Sequence, residues 1–419
     1  MPPTRTRLLY HPVQPLSSWT VAQVRSALRR HEEGDLSRSA PLAEHMERNP
    51  RIFAALGTRV MGVQGLEVEI EPSKDGDRRR STAVAKALQK SWYSIAPEDV
   101  LGDLHRWAIL LGVAIAEVVW DTSGSQWMPV LVPVHPSLYR WDTTANDWFV
   151  QTASGEVRVE TGTGRWIVLG YTSQRAWMRG VVRCLGLEDK LRTESVRDWA
   201  RWSERHGTPI IVARTPARAS DADKQAFFEG LEDLGSGGTT VLAPQGENAE
   251  ASFGLDLIEA KTAEASKGFQ ALIQLVADDV AIAILGQNLT QETKGGSLAA
   301  AKVHDRVRAD YLAADSELLA TAMRRDVLVP WALFNFGDGD LAPWACWDAE
   351  PAEDTAALTA QWKGAAEAVT LWRSLGVNVD LLEVAEHIGL PVDESAPLIE
   401  PAPKPAPAQQ PPAPPAPQE

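Results

Sequence analysis

The chain has 419 residues, a formal net charge of -15 at pH 7 and only two cysteines, Cys184 and Cys346. This length allows about two or three domains with a substantial apolar core, and the acidic charge argues against a nucleic-acid reader that neutralises phosphates. The cysteines match neither a zinc nor a redox spacing, which favours a reducing compartment. With no signal peptide and no uncharged apolar run of membrane-spanning length, we expect an intracellular protein that does not contact a membrane.

The first part of the chain is predicted to alternate helices with short strands. Segment Pro41–Ile70 predicts a helix, a second helix that starts near Pro50, and then a strand. The stretch "PEDVLGDLHRWAILLGVAIAEVVWD" repeats this order of helix and strand. From Trp127 to Gly170, short apolar pieces separated by Pro, Gly and Asn-Asp turns predict a small antiparallel sheet.

A charged helix and a compact insert are predicted next. The helix covers Arg183–His206 and ends at Gly207. Its apolar stripe is predicted to be Leu187, Leu191, Trp199 and Trp202. The pieces "TPIIVAR", "SDADKQAFFEGLEDLG" and "TTVLAPQ" then predict a strand, a helix with a capping box at Ser220 and Asp223, and a second strand.

Two long helices follow the insert, one on each side of a polar, glycine-bearing loop. The first is predicted over Leu257–Leu285 and is amphipathic. Ser297 is expected to cap the second, which reaches about Arg325. The apolar stripe of the second helix is predicted to be Val303, Val307, Ala314 and Leu318. A last helical block is predicted over Glu353–Ile388, before a proline- and alanine-rich tail that we expect to be disordered.

No motif in the sequence predicts catalysis, a cofactor or a metal site. The polar loop carries Lys294 ahead of its glycines and follows a helix, whereas a phosphate-binding P-loop needs a strand, then glycines, then Lys. Asp278 and Asp279 are adjacent on a helix, so they point about 100° apart and do not converge on one ion. A soluble enzyme that holds a phosphorylated ligand at the helix start Gly295–Ser297 stays open as an alternative.

Several segments, taken in their order along the chain, resemble bacteriophage portal proteins of the Mu-like branch. They are "LAEHMERNPRIFAALGTRV", "LLGVAIAEVVWD", "WARWSERHGTPIIVAR", "LGQNLTQETKGGSLAAAKVHDRVRADYLAADSELL" and "LVPWALFNFG". The last two are the most specific, because an L-G-Q-x-L-T turn, a glycine-serine helix start, V-H-x-x-V-R-x-D and a closing N-F rarely coincide. The resemblance covers nearly everything from about residue 30 to 350, although His206 departs from the aliphatic or aromatic residue usual there.

The resemblance implies an α+β portal fold with a wing, a stem, a clip and a helical crown. The implied regions are an N-terminal arm (1–29), a wing with helices and a small antiparallel sheet (30–182), a stem helix (183–206), a clip (207–253), a stem helix continuing into the wing (254–285), a tunnel loop (286–296), the long wing helix and a closing strand (297–350), a crown (351–392) and a disordered tail (393–419).

The resemblance also implies a homo-oligomeric ring, usually a dodecamer, at one capsid vertex. Double-stranded DNA would pass non-specifically through it, entering during packaging and leaving at infection. The implied partners are the large terminase, a head–tail adaptor, and the major capsid and scaffold proteins, with assembly in the host cytoplasm and a final place in the virion. Another virion ring component, such as a head–tail adaptor, stays open as an alternative, although adaptors are generally shorter and lack a helix–insert–helix arrangement.

Two groups of residues carry these expectations. Tunnel-loop residues are expected to line the DNA channel, because polar groups touch a moving duplex without the strong phosphate contacts that would slow it. They are Gln287, Asn288, Gln291, Glu292, Lys294, Gly295 and Gly296. Side chains of alternating charge on the next helix are candidates for subunit contacts, since a closed ring joins two different faces of each subunit. They are Lys302, Arg306, Asp310 and Glu317, for which a solvated helix face is the alternative.

Overall fold

The computed structural model describes residues 19–172, 174–206, 210–216, 219–232, 240–244, 254–258, 263–287, 298–349 and 355–390. Helices and strands occur throughout this part of the chain, so the predicted α+β class is confirmed. Contacts divide the chain into a large unit, Met1–Pro351, and a small unit, Ala352–Glu419. The predicted tunnel loop and both helices that flank it belong to the large unit.

Helices with locally encoded ends open the large unit. They are α1 (Val21–Glu32), α2 (Ser39–Met46), α3 (Pro50–Gln64), α4 (Arg78–Ile95) and α5 (Glu98–Leu111), with β1 (Val68–Glu71) between α3 and α4. Thr20 caps α1 in a capping box with Gln23. The Asn49 side chain caps α3 and Pro50 is its first residue, which confirms the predicted helix start. Gly112 ends α5 at φ 82°, a left-handed conformation in which glycine meets no steric penalty.

The strands after α5 form two antiparallel sheets in the described structure. They are β2 (Val113–Asp121), β3 (Met128–Pro133), β4 (Tyr139–Asp142), β5 (Asp147–Thr152), β6 (Gly155–Arg158) and β7 (Trp166–Gly170). Strand β2 lies between β3 and β7, and β5 lies between β4 and β6. The predicted antiparallel pairing is confirmed, but the prediction of one small sheet is wrong. Pro133 is the last residue of β3, and Pro136 lies between β3 and β4; neither has the N–H that a sheet ladder uses.

Large aromatic side chains fill the core around these sheets. Trp166, Trp177 and Trp331 are fully buried. The ring of Trp177 lies 5.2 Å from that of Trp141 and 5.4 Å from that of Trp148, measured between centroids, which is within the range of favourable aromatic contacts. Strand β2 is buried along nearly its whole length, which explains its continuous apolar run.

One long helix leads into a small sheet and another leads out of it. Helix α6 (Val182–His206) comes before the sheet and α8 (Ala263–Leu285) comes after it. The strands of the sheet are β8 (Ile210–Thr215), β9 (Thr240–Pro244) and β10 (Gly254–Ile258). Helix α7 (Asp221–Glu232) lies between β8 and β9 along the chain. Strand β8 is central, parallel to β9 and antiparallel to β10. Ser220 Oγ accepts a hydrogen bond from the Asp223 backbone N at 3.2 Å, so the predicted cap of α7 is confirmed.

Strand β10 corrects the sequence prediction for the segment after the clip. The sequence predicts a helix over Leu257–Leu285 and a stem segment over 254–285, whereas Gly254–Ile258 is a strand and the helix begins at Ala263. The alternation of apolar and polar residues in "GLDLI" fits a strand, and pairing satisfies the backbone groups at the second edge of β8. The alternating pattern is short, and a long helical pattern follows it directly, so the sequence favoured a helix.

The helix after the predicted loop ends in an irregular turn. Helix α9 (Leu298–Met323) continues through a π-helical turn, Arg324–Leu328, into α10 (Val329–Phe336), and β11 (Trp344–Trp347) pairs antiparallel with β1. The regular helix therefore stops before the predicted end at Arg325. The turn carries the buried Asp326, which accepts hydrogen bonds from the backbone N of Gly162 at 2.8 Å and of Val168 at 3.0 Å.

The buried faces of two long helices differ from the predicted stripes. On α6, Leu191 is 41% exposed, whereas Leu185 and Asp189 are buried. On α9, Ala314 is exposed and the neighbouring Asp315 is buried. Both predicted stripes assumed that only apolar residues face the core. They are wrong at Leu191 and Ala314, whereas Leu187 and Leu318 pack against the core as predicted. Each helix also buries an acidic residue that has hydrogen-bond partners.

The small unit is described through α11 (Thr355–Ser374) and α12 (Leu381–His387). The sequence predicts one helical block over Glu353–Ile388, but Gly376 adopts φ 85° and the chain turns there. Trp362 Nε1 donates a hydrogen bond to the carbonyl of Ile388 at 3.2 Å. This contact holds the end of the second helix against the first.

Candidate functional site

The described chain reaches the predicted tunnel loop at the end of α8. Gly286 follows the helix with φ 74°, and its N donates to the Ile282 carbonyl at 3.0 Å, which closes the last turn. The ring of Tyr311, from α9, packs so closely against Gly286 that a Cβ there would collide with it. The end of α8 therefore requires glycine both for its left-handed backbone and for the contact with Tyr311.

A buried ion pair holds this end of α8 to its neighbours. Arg59, on α3, donates from Nε to Asp315 Oδ2 at 2.6 Å and from Nη2 to Asp315 Oδ1 at 2.7 Å. Its Nη1 donates to the Ile284 carbonyl at 3.0 Å. Arg59 is 8% exposed and Asp315 is 0% exposed. The guanidinium therefore binds both carboxylate oxygens in the protein interior. One side chain thus connects α3, the last turn of α8 and α9.

Aromatic and imidazole side chains surround the ion pair. The Tyr171 hydroxyl donates to Asp315 Oδ1 at 3.0 Å, and Nε2 of His105 lies 3.0 Å from Asp315 Oδ2. The Arg59 guanidinium lies 4.5 Å from the centroid of the Tyr311 ring, in cation–π contact. Burial alone would raise the pKa of Asp315, but hydrogen bonds from Arg59 and the neighbouring His105 imidazole lower it to about 2. We call Arg59, His105, Tyr171, Tyr311 and Asp315 the junction network.

The described side chains in the first part of α9 are only partly covered, and Leu312 is one that packs against the core. Residues 305–314 are exposed or half-buried, and Asp315 is the first buried residue among the described side chains of α9. The helix from Leu298 to Tyr311 is about 20 Å long, whereas the end of α8 lies against Tyr311. Among the described side chains of α9, those before Asp315 are therefore less covered than those after it.

The predicted channel residues fall mostly beyond what the structure describes. Gln287 is half-buried and directly follows Gly286. The others lie outside the described residues: Asn288, Gln291, Glu292, Lys294, Gly295 and Gly296, together with Ser297, the expected helix cap. The structure therefore defines the two helices that flank the loop and the junction network between them.

The predicted subunit-contact residues lie on one side of α9. Arg306, Asp310 and Glu317 are exposed, and Lys302 lies in α9 with its side chain outside the described set. Their spacing of three to four residues, or a multiple of it, puts them on a common helix face. No ion pair joins Arg306, Asp310 or Glu317 to another described side chain. Their charges are therefore available to a neighbouring molecule.

A wide groove lies beside the same helix. Its volume is about 660 Å³, and its walls include Trp141, Tyr171, Glu317 and Arg325. Its lining mixes aromatic, hydroxyl and charged groups. Among the described residues, no group of His, Cys, Asp and Glu side chains could hold a metal ion.

Helix α8 carries apolar side chains on an uncovered side. By length and composition, the segment Lys267–Leu285 is the one described helix that could cross a bilayer, although Asp278 and Asp279 lie within it. Leu275 and Ile282 are 56% and 51% exposed. The helix therefore presents apolar surface beyond the face that it packs into the core.

Polar residues that hold helices in place inside the fold were not identified from the sequence, and the half-buried Asn335 of α10 is one of them. The side chain of Asn335 pairs with the backbone of Trp127, accepting from its N at 2.7 Å and donating to its carbonyl at 3.0 Å. A possible signal was present, because Asn335 interrupts an apolar run, as His105 does in "LHRWAILL" and Arg59 does in "AALGTRVMG". A lone polar residue on an otherwise apolar helix face indicates a buried hydrogen-bonding group.

Comparison with known proteins extends the likeness over most of the chain. A family model described as "Portal protein of Mu bacteriophage" matches residues 40–390. The portal protein of Escherichia phage Mu is 28% identical over 396 residues, which cover 91% of this chain and 73% of that protein. The Mu-like prophage FluMu protein gp29 of Haemophilus influenzae is 27% identical over 365 residues, which cover 81% of this chain and 66% of that protein.

A solved structure shares the fold at much lower sequence identity. A chain in the virion of a native gene transfer agent particle matches with a TM-score of 0.52 and 12% identity. The match covers 83% of this chain and 93% of that chain. The arrangement of helices and sheets described above is therefore also found in a chain of the gene transfer agent particle.

Proposed function

The chain belongs to the family of Mu bacteriophage portal proteins, whose model matches residues 40–390, and we propose that it forms a closed ring, a dodecamer in the mature particle, at one vertex of the capsid. Double-stranded DNA enters through this ring during packaging and leaves through it at infection. The observation that carries the proposal is the family match, which includes both long helices and the insert between them. It favours a portal protein over a head–tail adaptor.

The helix–insert–helix arrangement supports an assignment of regions. In this proposal α6 and α8 form the stem, and β8, β9 and β10 with α7 form the clip. The clip extends to Ile258, beyond the boundary expected from the sequence, because β10 pairs with β8. Residues 30–182 and 297–350 form the wing, and 351–392 form the crown.

The clip is the proposed docking surface for the large terminase during packaging and for a head–tail adaptor afterwards. Helix α7 supports this role because it presents Asp221, Asp223 and Glu229 to solvent, an acidic surface suited to a basic partner. The wing contacts the major capsid and scaffold proteins during assembly in the host cytoplasm, and the ring then stays in the virion. The subunit has no catalytic activity of its own in this proposal.

Residues 286–296 form the proposed tunnel loop. The stretch from Gln287 to Gly296 is polar, and Lys294 is its one basic residue. Each phosphate contact made by Lys or Arg releases counterions and adds affinity for DNA. A channel wall with few cations therefore lets the duplex move. The charged face of α9 with Lys302, Arg306, Asp310 and Glu317 is the proposed contact with the next subunit.

Deletion of Gln287–Lys294 tests the channel assignment. We expect the variant to form rings that match wild-type rings in negative-stain micrographs, because the deletion leaves α8 and α9 intact. We expect fewer particles with nuclease-protected genome, because the channel wall has lost its contact with DNA. Normal packaging and retention by the deleted rings would contradict the tunnel-loop assignment, and a wild-type chain that stays monomeric with capsid and scaffold proteins present would contradict the ring.

A further inference from the structure

We infer that Arg59 and Asp315 are positioning residues of the DNA channel, because their ion pair sets where the two helices flanking the tunnel loop stand relative to each other. The inference rests on the proposed portal function, in which that loop faces the DNA. Both side chains are buried. They therefore act through the backbone that they hold and not by contact with DNA.

Arg59 fixes the end of α8 through its backbone. The last carbonyls of a helix have no partner within the helix, and Arg59 Nη1 donates to that of Ile284 at 3.0 Å. The partial negative charge at the C-terminus of a helix favours a cation there. The Tyr311 ring contacts both Gly286 and the Arg59 guanidinium. The end of α8 is therefore held by α3 and α9 together.

Asp315 is the first buried side chain among those described in α9, and the half-buried Tyr311 and Leu312 lie one turn before it. No described side chain between 305 and 314 is buried. The helix from Leu298 to Asp315 is about 25 Å long, so a tilt of about 10° at Asp315 would move Leu298 by about 4 Å. A small change in the ion pair is therefore amplified where α9 meets the tunnel loop.

A buried ion pair contributes more to orientation than to stability. Apolar residues of similar volume often replace such a pair with little loss of stability, whereas removal of one partner leaves a buried charge uncompensated. The two parallel contacts of Arg59 with Asp315, at 2.6 and 2.7 Å, fix both the distance and the angle between the side chains. An apolar pair would therefore keep the fold and lose the orientation, which separates a positioning role from a merely structural one.

The test replaces the ion pair in the full-length chain by the double substitution Arg59→Met and Asp315→Leu. Assembled rings are compared with wild type by hydrogen exchange of the amides in residues 298–314, and particles by the fraction that retains nuclease-protected genome. We expect rings to form, these amides to exchange about tenfold faster, and genome retention to fall. Retention and exchange at wild-type values would overturn the inference and leave the portal function standing.

A control replaces a second forked ion pair, which is exposed, by the same residue types. Arg140 donates to the two oxygens of Glu156 at 2.9 and 2.8 Å, in the sheet that contains β4 and β6. The double substitution Arg140→Met and Glu156→Leu is expected to leave exchange in residues 298–314 and genome retention at wild-type values. An equal loss of retention in this control would contradict a specific role for the junction network.

Arg59→Lys decides the question if the apolar pair prevents folding. Lys keeps the positive charge but not the fork that binds both carboxylate oxygens. We expect intermediate exchange and intermediate genome retention in rings of normal size. Loss of retention without faster exchange in residues 298–314 would overturn the inference. A wild-type chain that forms no ring would defeat the proposed function, and the inference with it.

Discussion

His31 lies at the end of α1, between a serine hydroxyl and a backbone carbonyl. Its Nδ1 lies 2.8 Å from Ser39 Oγ, and its Nε2 lies 2.7 Å from the Trp177 carbonyl oxygen. Because a carbonyl only accepts hydrogen bonds, Nε2 carries the proton and Nδ1 accepts from the Ser39 hydroxyl. Burial lowers the pKa of His31 to about 4. The ring is therefore neutral at physiological pH and joins α1, α2 and the turn before α6.

We predict that the large unit loses stability as the pH falls from about 6.5 to about 4. In this window the unfolded chain binds a proton at His31 and the folded chain does not, so protonation favours unfolding. The shift from 6.5 to about 4 corresponds to on the order of 3 kcal/mol. Above the window neither state carries the proton and below it both do, so the contribution is constant outside it.

Chemical denaturation of wild type and of His31→Gln, above, within and below this pH window, measures the effect. The two free energies of unfolding should differ most above the window, and the difference should shrink as the pH falls through it. The substituted chain lacks the titrating ring, which makes it the control for all other acidic and basic groups. A difference that does not change with pH would contradict the buried neutral histidine.

The sequence revealed few of the polar residues that matter at this scale, because their partners lie far away along the chain. Arg59 binds Asp315 and lies near His105 and Tyr171 only in the folded protein. Periodicity detects which residues are apolar, but it does not detect which charged residue will meet a partner in the core. Gly286 could be located from its position after an apolar helix, although its contact with Tyr311 could not.

At the scale of elements, the predictions succeeded where the signal is local. The start of α3 follows from Asn49 and Pro50, and the cap of α7 follows from Ser220. Strand β10 was missed because its place depends on the free edge of β8, which no local pattern reveals. The split of the predicted small sheet depends likewise on how the strands pair across the fold. Boundaries that local capping sets are therefore predictable, and those that pairing sets are not.

Charge reversal on α9 tests the proposed subunit contact. We predict that Arg306→Glu reduces the fraction of chain in rings roughly tenfold, because like charges opposed across an interface cost free energy at every contact of the ring. Arg79→Glu, on α4, is the matched control, since Arg79 is also exposed on a helix. Native mass measurement of both variants gives the ring fraction. Rings of Arg306→Glu at wild-type yield would contradict the contact.

For the whole molecule, the order of segments was more informative than any single motif. The family was indicated by pieces spread from the first helices to "LVPWALFNFG", and the family match covers residues 40–390. The number of subunits is not encoded in this way, because it depends on the angle between two surfaces of different copies. The net charge of -15 per chain disfavours tight DNA binding, although screening limits its reach to about 8–10 Å.

An electron cryomicroscopy reconstruction of the assembled protein tests the central claim most directly. We predict a closed ring in which α6 and α8 surround an axial channel, the sheet of β8, β9 and β10 lies at one end, and the connection between α8 and α9 faces the channel. A protein that stays monomeric, or a ring whose channel is lined by the strands β4 to β6 with α8 turned away from the axis, would contradict the account.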